Sequence, residues 1–250
     1  MNLFKIRAHA VSKIMGRIGL TDSQESRLME LYTRKHDPLA KALTEKMEQE
    51  LAELIEKRDN PKLPDTAVSY LQEWYSGEEK QLRSKEIEKG LMCENECIQF
   101  MAHVLELGIA EKNRERFEDE YKSGEPDVLI ADAVIDVKSP FDKRTLQAKC
   151  VGMENDYWWQ GLTYCLLTKR NRFIIFYGLM DTDESVNYGE EVIYSDMDDS
   201  ERWIAYEVTF TDAQLAEYDK QINDRVMLCR DWLNKYDAEV KSKMGRINKY

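Results

Sequence analysis

The segment that decides the fold reads Gly124-Glu125-Pro126-Asp127-Val128-Leu129-Ile130-Ala131-Asp132-Ala133-Val134-Ile135-Asp136-Val137-Lys138-Ser139-Pro140. Two apolar runs, 128–130 and 134–137, flank Ala131-Asp132-Ala133, a pattern that predicts a β-hairpin. Asp136 and Lys138 are two apart, so on a strand they point to one face. A two-residue loop at Asp132-Ala133 would pair Ala131 with Val134, Leu129 with Asp136 and Asp127 with Lys138. Directly opposed residues share a face, so Asp127, Asp136 and Lys138 would converge on one patch.

Such a patch suits phosphodiester hydrolysis. That reaction needs charge neutralised on a phosphoryl oxygen, a nucleophilic water and a stabilised leaving oxygen. Mg²⁺ or Mn²⁺ can supply all three, and these hard ions prefer carboxylate and carbonyl oxygens. Asp127, Asp136 and the backbone carbonyl of Val137 could hold such an ion, with Lys138 orienting the water or stabilising phosphate charge. An Asp-x-Lys by itself also fits an exposed strand face. Here Pro126-Asp127 precedes it at hairpin distance and Ser139-Pro140 follows, which favours a site.

Helical periodicity upstream runs from about Ser84 to Leu107 and stops at Gly108. Gly90 and Glu94 are four apart and share a helix face. A helical glycine costs about 1 kcal/mol relative to alanine. Gly90 is therefore expected to let the helix approach the sheet and bring Glu94 to the metal. Glu96, about 200° further round, should point elsewhere. Downstream, a helix near Asp156–Thr168 places Gln160 and Tyr164 on one face. Both can hydrogen-bond a phosphate or groups beside the metal, although a plain helix–sheet boundary uses the same residue types. Trp158 and Trp159 read as core or interface rather than as base-stacking platforms.

Further strands are expected near Phe173–Tyr177, Glu191–Tyr194 and Ala205–Phe210. Thr211-Asp212 caps a long last helix whose buried stripe includes Leu215, Tyr218, Ile222, Val226, Cys229 and Leu233. Toward the N-terminus, helical spacing from about Asp22 to Arg58 starts at a Thr21–Gln24 cap and breaks near Asp37-Pro38. Asp59 to Pro64 is a loop, and a short helix follows from Thr66 to Tyr75. The order predicts an α/β (α+β) fold with a central mixed β-sheet flanked by helices. A mainly helical region over residues 1–83 would precede a core over residues 84–250.

The chain has 250 residues, 42% of them hydrophobic, enough for one large core. No run approaches the roughly 20 apolar residues of a membrane span, and residues 1–14 do not read as a signal peptide. Five cysteines without a CxxC suit a reducing cytoplasm. His9, His36 and His103 lack zinc-ligand spacing. The net charge of -12 argues against a protein that coats nucleic acid, but not against an enzyme with a local basic groove. Residues 137–172 hold seven basic side chains (Lys138, Lys143, Arg144, Lys149, Lys169, Arg170, Arg172) against three acidic ones, a candidate phosphate-facing side. The acidic run from Asp196 to Glu201 should lie away from DNA.

In order, Gly90-x-x-x-Glu94-Asn95-Glu96, Pro126-Asp127, Asp136-Val137-Lys138-Ser139-Pro140-Phe141 and Gln160-x-x-x-Tyr164 resemble the lambda-exonuclease-like branch of the PD-(D/E)xK nucleases. The resemblance covers roughly residues 85–180, with a weaker similarity at Ile6 to Ser12. It implies a restriction-endonuclease-like core and an exonuclease acting on double-stranded DNA from the 5′ end. It implies two divalent metals held by Glu94, Asp127 and Asp136, with Lys138 catalytic. By the same resemblance Gln160 and Tyr164 support the site or contact DNA, and Arg7 is a candidate for the 5′-phosphate. The family is often a ring-shaped trimer with a single-strand annealing protein as companion. Related helicase-linked nucleases hold an iron–sulfur cluster with three cysteines beyond the Gln-x-x-x-Tyr helix. Only Cys165 and Cys229 lie downstream of Gln160 in this chain, so no cluster is expected. A structure- or site-specific endonuclease with the same metal centre, and a catalytically silent binding module, remain the alternatives.

Overall fold

The structure is a computed structural model in which residues 3–78, 84–187 and 189–245 are described. In chain order its elements are β1 (Ile6–Arg7), α1 (Val11–Ile14), α2 (Asp22–His36), α3 (Glu45–Asp59), α4 (Asp65–Ser76) and α5 (Lys85–Val104). There follow β2 (Phe117–Glu118), β3 (Lys122–Gly124), β4 (Val128–Leu129), β5 (Ala133–Lys138), α6 (Lys143–Ala148) and α7 (Asn155–Thr168). β6 (Arg172–Gly178), β7 (Trp203–Thr209) and α8 (Asp212–Lys243) complete the chain. Lys13–Gln72 form one compact unit, and the described residues on either side of it form another. The boundary expected at residues 83 and 84 falls at the edge of residues 79–83, which lie outside the described residues.

In the helical unit, α2 begins at a reciprocal cap. The Thr21 hydroxyl accepts from the Gln24 amide, and the Gln24 side chain accepts from the Thr21 amide. α2 and α3 close over Leu20, Leu28, Leu31, Leu51 and Leu54. A two-pronged pair from Arg27 to Glu50 (3.0 and 2.9 Å) spans them.

The larger unit is built on a four-stranded mixed sheet in the order β4-β5-β6-β7. β5 and β6 are parallel, and both outer pairings are antiparallel. α5 covers one face, burying Cys97, Ile98 and Met101 against Ile135, Val137, Ile174 and Phe176. α7 covers the other, approaching so closely that a methyl group on Gly161 would lie 2.0 Å from the Phe173 ring. This is the expected central mixed sheet flanked by helices. Arg230 of α8 donates to the Phe4 carbonyl (3.0 Å) and the Glu120 carbonyl (2.6 Å), holding the small sheet β1-β3-β2. The short strands of that sheet, and α6, have no counterpart in the sequence reading. They are two or three residues long, or a single six-residue helix, too brief for periodicity to register.

The hairpin forms with a shifted register. Val128 pairs with Ile135 and Leu129 with Val134, and the Ile130 amide donates to the Ala133 carbonyl (3.0 Å). The loop is Ala131-Asp132, because β6 recruits Ala133 into the sheet opposite Arg172. The shift is two residues, so every side chain keeps its expected face. Continued one step, the register sets Asp127 opposite Asp136 instead of Lys138. The strand expected at Glu191–Tyr194 reduces to a single bridge, Thr182 to Val192. The Asp181 carboxylate takes the amides of Tyr194 (2.6 Å) and Ser195 (2.8 Å) that a ladder would have used. α5 ends at Val104, three residues short of the expected Leu107.

Candidate active site

β5 delivers Asp136 and Lys138 to the α7 side of the sheet. Asp136 is 1% exposed and ion-pairs with Lys138. Its Oδ1 accepts from Gln160 Nε2 (3.3 Å), and its buried Oδ2 is the oxygen that meets the Lys138 ammonium. Asp127 stands just before β4, where its Oδ2 accepts from the Val137 amide (2.8 Å). Burial first, and the Asp136 charge second, push the Asp127 carboxyl up to about 7. Burial alone would lower the Lys138 ammonium, but Asp136 and Asp127 outweigh it and hold the lysine charged.

Glu94 reaches the same place from α5. It lines a groove of about 460 Å³ with Gly90, Asp127, Val137, Lys138, Lys149, Tyr157 and Tyr177. Its carboxylate is ion-paired with Lys112. Among the described residues no three carboxylates, cysteines or histidines close into a ready metal cage. The expected residues are nonetheless brought to one place. Asp127 and Asp136 adjoin, Glu94 lines the groove beside Asp127 and adds to the charge acting on it, and Glu94 and Asp136 each take a lysine counter-charge. Gly90 also departs from expectation. A methyl group there would meet nothing within 4 Å, so this glycine serves open groove and not close packing.

The residues nonetheless fit a hard divalent cation. The donors are oxygens, and two adjoining buried carboxylates, one raised by the charge of the other, gain from added positive charge. Val137 turns its side chain into the core and its amide to Asp127. Nearby thiols do not compete as soft ligands: burial pushes Cys97 up to about 11, and Cys93 upward as well.

Gln160 and Tyr164 support the site from behind. Gln160 Nε2 donates to the Tyr164 hydroxyl (2.9 Å) as well as to Asp136, and that hydroxyl donates to the Glu125 carbonyl (3.2 Å). Both residues are buried, at 7% and 5% exposure, so they orient Asp136 and the Glu125–Asp127 backbone rather than face a substrate. Arg7 is not brought to the carboxylates. It lines a separate cavity of about 290 Å³ with His9, Arg116, Ser123, Glu125 and Tyr164.

Three residues of the site carry no sequence motif. Asn113 fixes the backbone that bears Asp127. Its amide donates to the Asp127 carbonyl (2.7 Å) and its side chain to the Pro126 carbonyl (2.9 Å). Lys112 beside it pairs with Glu94. Lys89 is fully buried and donates to the Phe141 carbonyl (2.9 Å) and the Thr182 hydroxyl (2.7 Å), tying α5 to the segment after β5.

No family model and no curated protein matches this sequence. Solved structures do match in fold. A phage-related exonuclease from Haemophilus somnus 129PT aligns with a TM-score of 0.65 at 20% identity, over 95% of this chain and 97% of its own. The alkaline exonuclease LHK-Exo from Laribacter hongkongensis aligns with a TM-score of 0.54 at 14% identity, over 96% of this chain and 95% of its own. Its complex with dAMP gives 0.56 at the same identity. The chain thus has the fold of these exonucleases along nearly its whole length.

Proposed function

We propose that the chain is a divalent-metal-dependent DNA exonuclease that hydrolyses double-stranded DNA from an end, in the 5′ to 3′ direction, in phage-type recombination or end processing. One observation carries the reading. Asp136 and Lys138 on β5 and Asp127 just before β4 come together beside an open groove, which Asp127, Lys138 and Glu94 line. The likeness in fold to a phage-related and an alkaline exonuclease supports it.

In this reading Glu94, Asp127, Asp136 and the Val137 carbonyl hold Mg²⁺ or Mn²⁺, as two ions. When bound, the metal supplies a Lewis acid for the phosphoryl oxygen and a lowered pKa for water. The chain's own residues do the rest. Lys138, kept charged by two aspartates, holds the attacking water or the phosphate oxygen. Gln160 fixes the Asp136 carboxylate, and Asn113 fixes the peptide that bears Asp127. A homotrimer and a single-strand annealing protein as partner come with the resemblance, and the cytoplasm with the cysteine pattern. No helix among the described residues is long and apolar enough to cross a membrane.

The test is digestion of end-labelled linear duplex beside covalently closed circular DNA, with Mg²⁺, Mn²⁺ or EDTA, using wild type and Lys138→Ala. Metal-dependent loss of linear DNA alone, abolished by the substitution, is the expected result. Cutting of closed circles would replace the exonuclease with an endonuclease. No cleavage by folded protein would leave a DNA-binding module.

A further inference from the structure

We propose that Tyr177 and Lys149 form a second phosphate subsite in the groove, which takes a non-scissile phosphodiester of the strand whose cleavage the nuclease reading above assigns to Lys138. Tyr177 of β6 lies directly beside Lys138 of β5 in the sheet register and shares its face. It is 1% exposed, lines the groove, and its hydroxyl is buried without a hydrogen-bond partner. Leaving a buried hydroxyl unmet costs stability, so the group calls for a partner that folding does not supply.

Lys149 supplies the charge. Its ammonium lies 5.7 Å from the centre of the Tyr177 ring and lines the same groove. Its main chain is pinned by the Tyr206 hydroxyl, which donates to the Lys149 carbonyl (2.5 Å). Lys138 stands in the same relation to Tyr157, at 5.5 Å, and the two tyrosine rings meet edge to face at 6.1 Å. The floor thus pairs two ammonium groups with two phenols. Burial, then the neighbouring Tyr157 and Glu154, keep the Tyr177 hydroxyl protonated, so it can serve as a donor at any working pH. A phenol and an ammonium that both donate recognise an anionic oxygen. The DNA strand offers one at every linkage. Glu154 now holds the Lys149 ammonium and is the acceptor a phosphate would displace.

Binding of an end-labelled duplex, followed by fluorescence anisotropy in Ca²⁺, tests this. Lys149→Gln and Tyr177→Phe should each weaken binding about tenfold, the factor that one charge-assisted hydrogen bond carries. Glu154→Gln should tighten it. Tyr177→Phe should melt no lower than wild type, since it removes an unmet hydroxyl and no contact. Single neutral methylphosphonate linkages scanned along the strand should weaken wild type at one non-scissile position and have no further effect there in Lys149→Gln. A lower Tm with Tyr177→Phe, unchanged affinity in both variants, or the absence of any such coupled linkage overturns the subsite. Coupling in a protein that fails to cut in Mg²⁺ supports the subsite and overturns the nuclease reading alone.

Discussion

Asp127 carries its charge at a cost. Its carboxyl is pushed up to about 7 by burial and then by Asp136, so at neutral pH the ion is only half favoured. A divalent cation relieves both causes at once. Mg²⁺ should therefore raise the Tm of wild type, and the rise should vanish in Asp127→Asn, which should also lose cleavage. A thermal shift in Asp127→Asn equal to wild type would remove Asp127 from the ligand set. Gln160→Leu tests the support behind Asp136. Loss of such a partner typically costs about 10- to 100-fold in metal affinity or activity. Gln160→Leu should fall in that range, with an Mg²⁺ titration shifted to higher concentration. At this scale the sequence was readable where chemistry restricts residue type and spacing. Asp136-x-Lys138 and Gln160-x-x-x-Tyr164 carry their geometry in their own local periods. Asn113, Lys112 and Lys89 do not. Each works through partners 13 to 93 residues away, such as Pro126, Glu94 and Thr182, and a lone Asn or Lys has no spacing to betray it.

Elements meet through their glycines, and here two helices differ. α7 lies against β6 at Gly161, where a methyl group would sit 2.0 Å from the Phe173 ring. Gly161→Ala must displace a ring that is itself fully buried. Overpacking of this kind costs about 1–3 kcal/mol or more, and chemical denaturation should show a lower midpoint with an unchanged slope. Gly90 of α5 faces open space. Gly90→Ala should gain up to about 1 kcal/mol of helix propensity. A destabilised Gly90→Ala would contradict the open groove. From the sequence the two glycines look alike, since composition does not say which helix face is crowded. The hairpin shows the same division. Its existence and the faces of Asp127, Asp136 and Lys138 follow from period-two alternation. Its register follows from the pairing of Ala133 with Arg172, thirty-nine residues on, which no local pattern encodes.

The stability of the whole molecule should record both buried titrations at once, with opposite slopes. Asp127 binds a proton more tightly folded than unfolded. The folded state therefore holds the extra proton between the ordinary aspartate range, about 4, and about 7. Across that window stability falls as pH rises. Lys89 behaves oppositely. Burial lowers its ammonium to about 8, against weaker raising effects from Cys93, Asp181, Asp142 and Cys97. The Phe141 and Tyr194 rings present their faces to it, and its hydrogen-bond partners, the Phe141 carbonyl and the Thr182 hydroxyl, are neutral oxygens. The unfolded chain holds the lysine proton up to about 10.5, so from about 8 to that point stability rises with pH. Together these two groups contribute least between pH 7 and 8. Melting temperatures from pH 4 to 10 for wild type, Asp127→Asn and Lys89→Met separate them. The difference between wild type and Asp127→Asn should grow from pH 4 to 7 and then hold, with the variant the more stable. The difference between wild type and Lys89→Met should be constant below pH 8 and shift in favour of wild type above it. Added Mg²⁺ should flatten the first difference and leave the second alone, because only Asp127 adjoins the oxygens that would bind it. A flat Lys89→Met difference through pH 8 to 10 would mean that the buried ammonium is met by charge rather than by neutral oxygens.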